Sequence, residues 1–313
     1  MATMKAIRIS AFGGPEVLKL EDLPIPEPGE HEFLVKVQAA SVNPVDYKIR
    51  EGKYPPVPAD KLPLVMGRDI AGIIAARGPG AGDQLREGDA IYAMLGPDRG
   101  GYAEYAIVKA TEATRRPAAA DSIAAGAVPL AGLTAWQGLF RHGELKEGQR
   151  VLIHGGSGGV GHFAIQFAKA KGAHVITTAS GQHLDFVRSI GADEAIDYEK
   201  QRFEEVVHDV DLVYDLIGGD TQQRSFAVLK RGGILVSTLT EPDQEKARAN
   251  GVRALRYAVQ ENAAELDEIA QLIDAGKVQP KVSKIFPLAE AAKAQQCLAE
   301  ARPEGKVVLR VGE

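Results

Sequence analysis

Short apolar runs set off by Gly and Pro clusters open the chain: Lys5–Ser10, Glu32–Gln38 and Tyr102–Val108. Their length and punctuation predict strands, and a compact all-β unit in the first third. Pro24, Pro26 and Pro28 interrupt the chain before the second run, while Pro55, Pro56, Pro58 and Pro63 stiffen a loop that also carries Tyr47 and Tyr54. A long loop of this kind in a compact domain usually has a function. From about Leu130 the pattern changes. Arg150–His154, Ala173–Thr178, Asp211–Asp215 and Gly233–Ser237 are unbroken apolar runs of the sort buried in a parallel sheet, and Val160–Lys171 between them carries apolar residues at helical spacing. Repeated strand, helix, strand units predict a doubly wound α/β domain. The C-terminal stretch returns to strand (Val282–Phe286), helix (Leu288–Ala301) and strand (Lys306–Val311), which is expected to complete the first unit.

The sharpest local signal is His154-Gly-Gly-Ser-Gly-Gly-Val-Gly161, in which Gly156, Gly158 and Gly161 satisfy G-x-G-x-x-G after a strand and before a helix. A Cβ in such a turn would block backbone approach to a pyrophosphate, and the helix N-terminus offers free N–H groups to that charge. A turn that merely packs helix on strand is the alternative, and the α/β context favours the cofactor. Selectivity turns on the end of the next strand. An NAD-selective site places an acid about 20 residues after the glycines. Here Val175–Gly181 holds none, and the next acid is Asp185. That permits NADPH, with Ser180 and Tyr198 to receive its 2′-phosphate and His183 or Arg188 as the nearest cations. Ser180 as a helix cap and Tyr198 as a core-edge aromatic are the structural alternatives.

Composition narrows the partners. At 313 residues the chain is long enough for about two domains, and 45% apolar with 25% charged residues is ordinary for a folded protein. A net charge of −5 argues against a nucleic-acid partner. No stretch approaches the ~20 apolar residues of a membrane helix, and the N-terminus lacks the apolar core of a signal peptide, so a cytoplasmic protein is expected. The lone Cys297 excludes a disulfide framework and a cysteine-built zinc site, and no catalytic base sits beside it in sequence.

Phe12–Val17, Ala39–Tyr47, Gly67–Gly72, Gly88-Asp89, Gly101–Tyr105 and the glycine loop occur in an order that resembles the medium-chain dehydrogenase/reductase superfamily, and within it the zinc-independent quinone oxidoreductases. The resemblance covers nearly the whole chain. It implies a Rossmann doubly wound parallel sheet (residues 126–274) inserted in a GroES-like β-rich catalytic domain (residues 1–125 plus 275–313), with the active site in the cleft between them. Zinc-dependent members bring a cysteine ligand where this chain has Asn43, and four further cysteines that it lacks. By the same resemblance Asn43 lies near nicotinamide and substrate, and Tyr47 and Tyr54 line the pocket, Tyr47 being the first candidate to donate to a developing oxyanion. Thr134 faces the nicotinamide phosphate. Gly156, Ser157, Gly158, Gly159 and Val160 form the pyrophosphate cradle, with the N–H groups of Gly158, Gly159 and Val160 pointing at it. Leu216, Ile217 and Thr238 flank the dinucleotide at strand ends, and Lys306 reaches it from the other domain. Asp46 and Asp69 are expected to serve structural hydrogen bonding.

The function expected from this is NADPH-dependent hydride transfer to a small apolar quinone. Reduction of enone or 2-alkenal double bonds is the enzymatic alternative, and a non-catalytic NADPH-binding regulator the alternative from another class. Gly251–Val259 has the apolar alternation of an edge strand, from which a homodimer is expected.

Overall fold

A computed structural model of the chain describes residues 2–312. It falls into two compact units, one formed by residues up to Ala131 together with those from Glu261 onward, the other by Gly132–Gln260.

The first unit is built on the long strand Glu32–Val42. Its first half pairs antiparallel with Tyr105–Lys109 and its last residues with Lys306–Arg310, while Asp69–Arg77 runs along its other edge. The resulting sheet runs Val282–Pro287, Lys306–Arg310, Glu32–Val42, Asp69–Arg77, Ala90–Met94, Ala113–Arg115. Phe33, Val35 and Val37 alternate into its core beside Ile70, Ile91 and Leu309, the period-two pattern of a half-buried strand. A smaller sheet orders Lys19–Pro24, Thr3–Ile9 and Leu64–Val65.

Two sequence expectations change here. The first third is not all-β, because helix Pro44–Arg50 interrupts it. Asn43 sits at the cap, Pro44 supplies its fixed φ at the first helical position, and the Asp46 carboxylate takes the Asn43 N–H at 2.7 Å. Residues 126–131 and 261–274, expected in the second domain, fall with the first. Helix Ala263–Asp274 is fastened there by Tyr92, whose hydroxyl donates to the Leu266 carbonyl at 2.5 Å, and by Asp274, which accepts from the Ala119 N–H at 2.9 Å.

The second unit is a six-stranded sheet ordered Glu194–Asp197, His174–Ala179, Arg150–His154, Val210–Asp215, Leu229–Ser237, Arg253–Arg256, with every pairing parallel. In chain order that is 3-2-1-4-5-6, the Rossmann arrangement, whose switch point lies between the first and fourth strands. Ile176, Leu152, Val213 and Leu235 stand in register across four strands and are all buried. Each contributes about 1.5–3 kcal/mol by burial. Helix Gly161–Ala170 covers the sheet with Phe163, Ile165 and Phe167. Arg253–Arg256 forms one edge, as the alternation of Gly251–Val259 suggests, though only four of those residues pair.

Candidate functional site

The glycine loop leaves the first strand of the parallel sheet at the switch point. Gly156 and Gly161 are required by the protein's own packing: a Cβ would lie 2.0 Å from Thr177 Oγ1 at the first and 2.2 Å from the Gly155 carbonyl at the second. Gly158 differs. A Cβ there would meet only the Gly155 carbonyl, at 3.5 Å, so its bare backbone faces open space. A cradle whose central glycine has no internal steric reason is suited to close approach by a ligand, and the loop fits a dinucleotide pyrophosphate. The Gly158 N–H, expected to point at that ligand, instead closes a turn on the Gly155 carbonyl at 3.2 Å. Among the described residues no backbone carbonyl takes the N–H of Gly159 or Val160, which open helix Gly161–Ala170.

The neighbouring strand ends converge on this loop. Ser180 follows His174–Ala179, and Tyr198 follows Glu194–Asp197. Pairing of Ala179 with Asp197 makes them neighbours, and the Tyr198 N–H donates to the Ala179 carbonyl at 3.2 Å. Tyr198 is 56% exposed, so it is not a core aromatic. Ser180 precedes a short 3-10 turn but makes no capping bond with its side chain. The pairing also brings a carboxylate that linear sequence distance concealed: Asp197 Oδ2 lies where a Cβ on Gly181 would be 2.7 Å away, and Lys200 lies 3.4 Å from that oxygen. Arg188 is paired with Asp185 at 3.4 Å.

Beyond the fourth strand the loop carrying Leu216 and Ile217 is shaped by Asp215, a residue the sequence reading passed over. Its buried carboxylate accepts from the N–H groups of Ile217 (3.0 Å) and Gly218 (2.8 Å) through Oδ1, and from Gln222 (3.0 Å) and Ser237 (2.9 Å) through Oδ2. Four donors repay the desolvation of one charge. Leu216 is half-buried, and Ile217 projects with 53% exposure. Thr238, after the fifth strand, donates its N–H to the Asp215 carbonyl at 3.4 Å. A polar residue ending an apolar strand was the available signal. Thr134 is buried, and its carbonyl accepts from the phenols of Tyr214 and Tyr257.

In the first unit, antiparallel pairing of Val307 with Val42 sets Lys306 opposite Asn43. Lys306, expected to reach a cofactor, instead donates to Asn43 Oδ1 and lies 3.7 Å from Asp69, 2% exposed. Asn43 Nδ2 donates to Asp69 Oδ2 at 2.7 Å, so both ends of its amide are engaged within the unit. Asp69 also accepts from Ser41 (2.6 Å) and the Leu130 N–H (2.7 Å). Asp46 accepts from Tyr102 at 2.8 Å, while its Oδ1 is buried without a partner. Burial raises the Asp46 carboxyl to about 7 and pulls the Lys306 ammonium down, opposed by Asp69 and Asp46. Tyr47 is half-buried on helix Pro44–Arg50. Burial, then Glu51, push its phenol up, so it stays a donor at neutral pH. Tyr54 packs on the unit's core. Among the described residues no group of three His, Cys, Asp or Glu side chains is placed to hold a metal ion, and no helix is long and apolar enough to cross a membrane.

Comparison with known proteins agrees with this architecture. Residues 29–118 match the family model described as alcohol dehydrogenase GroES-like domain, and 190–309 the one described as zinc-binding dehydrogenase. The chain is 38% identical to an NADPH-dependent alkenal/one oxidoreductase of Arabidopsis thaliana, over 98% of this chain and 79% of that protein. A quinone oxidoreductase structure from Coxiella burnetii superposes with a TM-score of 0.91 at 38% identity, covering 99% of this chain and all of the other. The mycobacterial Rv1454c complexed with NADPH does so at 0.88 and 32%, covering 98% and 99%.

Two predictions follow from the geometry. Gly158→Val should leave a folded protein whose affinity for a nicotinamide dinucleotide is lowered tenfold or more, since the added side chain enters open space beside the loop, whereas Gly161→Val should lower the melting temperature by collision with the Gly155 carbonyl. Fluorescence titration and thermal melts separate the two effects.

The second concerns pH. His154, buried beneath the loop, is held down at about 4 by desolvation. The unfolded chain takes up that proton below about 6.5, so the stability from neutral His154 is complete above that pH and is lost as pH falls toward 4, on the order of 3 kcal/mol. Asp46 has the opposite sign. The folded chain keeps its proton to about 7 while the unfolded chain releases it near 4, so stability falls as pH rises through that window. In melts between pH 4.5 and 7.5, the advantage of wild type over His154→Phe should grow with pH and that over Asp46→Asn should shrink.

Proposed function

The chain belongs to the medium-chain dehydrogenase/reductase superfamily, in its zinc-independent branch, and from that premise we propose that it is an NADPH-dependent reductase of quinones. It is an oxidoreductase using a nicotinamide cofactor. The observation that carries the finer reading is the opening at Gly158 together with Ser180 and Tyr198 at adjacent strand ends. When bound, the reduced nicotinamide supplies a hydride.

The protein's own groups do the rest. Gly159 and Val160 would hold the pyrophosphate through their N–H groups, and Ser180 Oγ with the Tyr198 phenol would hold the 2′-phosphate. Lys200, 3.4 Å from Asp197 Oδ2, offsets that carboxylate. Leu216, Ile217 and Thr238, held by Asp215, flank the dinucleotide. In the first unit Asn43 is a positioning group, since its amide is spent on Lys306 and Asp69. Tyr47 donates to the substrate oxygen on which charge develops after hydride transfer. A conjugated acceptor spreads that charge, so a phenol suffices where a simple alkoxide would call for a Lewis acid. Tyr54 contributes apolar surface.

Reduction of an alkenal or enone double bond is the second reading, favoured by the 38% identity to the plant alkenal/one oxidoreductase. NADPH oxidation followed with a naphthoquinone and with a 2-alkenal decides between them. We expect the naphthoquinone to have the higher kcat/KM, and a preference for the alkenal overturns the assignment. In the same assay Tyr47→Phe should lower kcat by about tenfold, corresponding to one hydrogen bond to developing charge; a loss under twofold removes its catalytic role.

The edge strand Arg253–Arg256 has Leu229–Ser237 as its sheet neighbour. We propose that its open edge pairs with a second copy in a homodimer, so light scattering should return twice the chain mass, and a monomer refutes it.

A further inference from the structure

His154 ends the first strand of the parallel sheet, immediately before the glycine loop, and is completely buried. Both ring nitrogens are engaged, Nδ1 with Thr178 Oγ1 at 3.1 Å and Nε2 with Ser225 Oγ at 3.0 Å. The surrounding bonds fix the direction of each. Ser225 donates its hydroxyl proton to the Thr221 carbonyl at 2.7 Å and therefore accepts from the ring, which assigns the proton to Nε2. Nδ1 is then an acceptor and takes the Thr178 hydroxyl proton, leaving Thr178 Oγ1 to accept from the Gly155 N–H at 3.3 Å. The Thr178 carbonyl takes the next N–H, that of Gly156, at 3.0 Å. An unbroken relay thus runs from helix Gly219–Ser225 through one imidazole to the start of the cradle.

The other end of that helix is tied as well. Asp215 holds Gly218 and Gln222, and with them the loop of Leu216 and Ile217. The helix therefore has one end fastened to the strand-end loop and the other to the glycine loop. The ring packs on Phe203 in a T-shaped arrangement, centroids 4.6 Å apart. Asp215, Glu204 and Arg224 are the charges facing the ring.

We propose that His154, as its neutral Nε2–H tautomer, is a positioning residue for the dinucleotide, setting the glycine loop and the Leu216–Gly218 loop in one fixed relation through Thr178 and Ser225. The inference rests on the reading of the glycine loop as the NADPH cradle. Only a group with one donor and one acceptor on opposite sides of a rigid ring completes the relay. Phenylalanine preserves the shape and neither bond, and a charged imidazolium loses the acceptor.

The test is NADPH affinity by fluorescence titration, with kcat at saturating NADPH and thermal melts, for wild type, His154→Phe, Thr178→Val, the double variant and Thr178→Ser. Each of the first two single variants should raise the Kd for NADPH by about tenfold, the worth of one buried hydrogen bond, with kcat within about twofold. The double variant should bind no more weakly than either single, since the relay is broken once, and Thr178→Ser, which keeps the hydroxyl, should restore affinity. Unchanged Kd in both single variants, or additive losses, overturns the proposal. Should His154→Phe fail to fold, Thr178→Val and Thr178→Ser carry the test alone. Wild type without saturable NADPH binding would sink the cradle reading itself, whereas tight wild-type binding with indifferent variants sinks only the role of His154.

Discussion

The second unit depends on two stretches of backbone meeting where no Cβ can stand. Gly156 lies against Thr177, and Gly161 against the Gly155 carbonyl, so strand Arg150–His154 passes into helix Gly161–Ala170 through a very short loop. The short loop carries the helix N-terminus to the place where strand order reverses and its N–H groups face outward. The shape is maintained by bonds to the adjoining strand, where Thr178 takes the first two N–H groups of the loop. Glycine therefore has two purposes within one motif: close internal packing at its ends and bare backbone in the middle.

Each unit also buries a carboxylate at a strand terminus and must replace its lost water. Asp215 does so with four neutral donors, and these bonds order the loop. Asp69 recruits Ser41, Asn43 and the Leu130 N–H, with the Lys306 ammonium 3.7 Å away. Asp46 stands in the same cluster with one oxygen unpartnered, which is why burial favours its neutral form. Removing one member of such a cluster leaves its partner buried and unpaired, which costs more than a surface bond.

The parts legible from sequence were those governed by short-range rules. The inner strands of the parallel sheet are apolar on both faces and stand out as continuous runs, whereas Glu194–Asp197, a four-residue strand with an acid at each end, does not. The antiparallel strands of the first unit are short, half-polar and divided by irregular loops, so Lys19–Pro24, Ala90–Met94 and Ala113–Arg115 had no comparable signature. Helix Pro44–Arg50 had one, in Asn43, Pro44 and Asp46, that a strand-rich context obscured. The division of the chain differs from the expected one at both boundaries, at residues 126–131 and at helix Ala263–Asp274, and the allegiance of that helix is decided by Tyr92 and Ala119, far away in sequence.

Taken alone, the sequence determined where the backbone turns, that a glycine-rich loop follows the first parallel strand, and that cysteine donors beyond Cys297 are absent, since spacing and residue type are local properties. Tertiary structure decided which polar side chains remain available. Asn43 and Lys306, 263 positions apart, are joined because Val307 pairs with Val42, and Asp197 approaches Gly181 because its strand lies beside His174–Ala179. Desolvation obliges a buried polar group to find a partner, and which partner it finds depends on strand register, a relation between distant segments that no local pattern encodes.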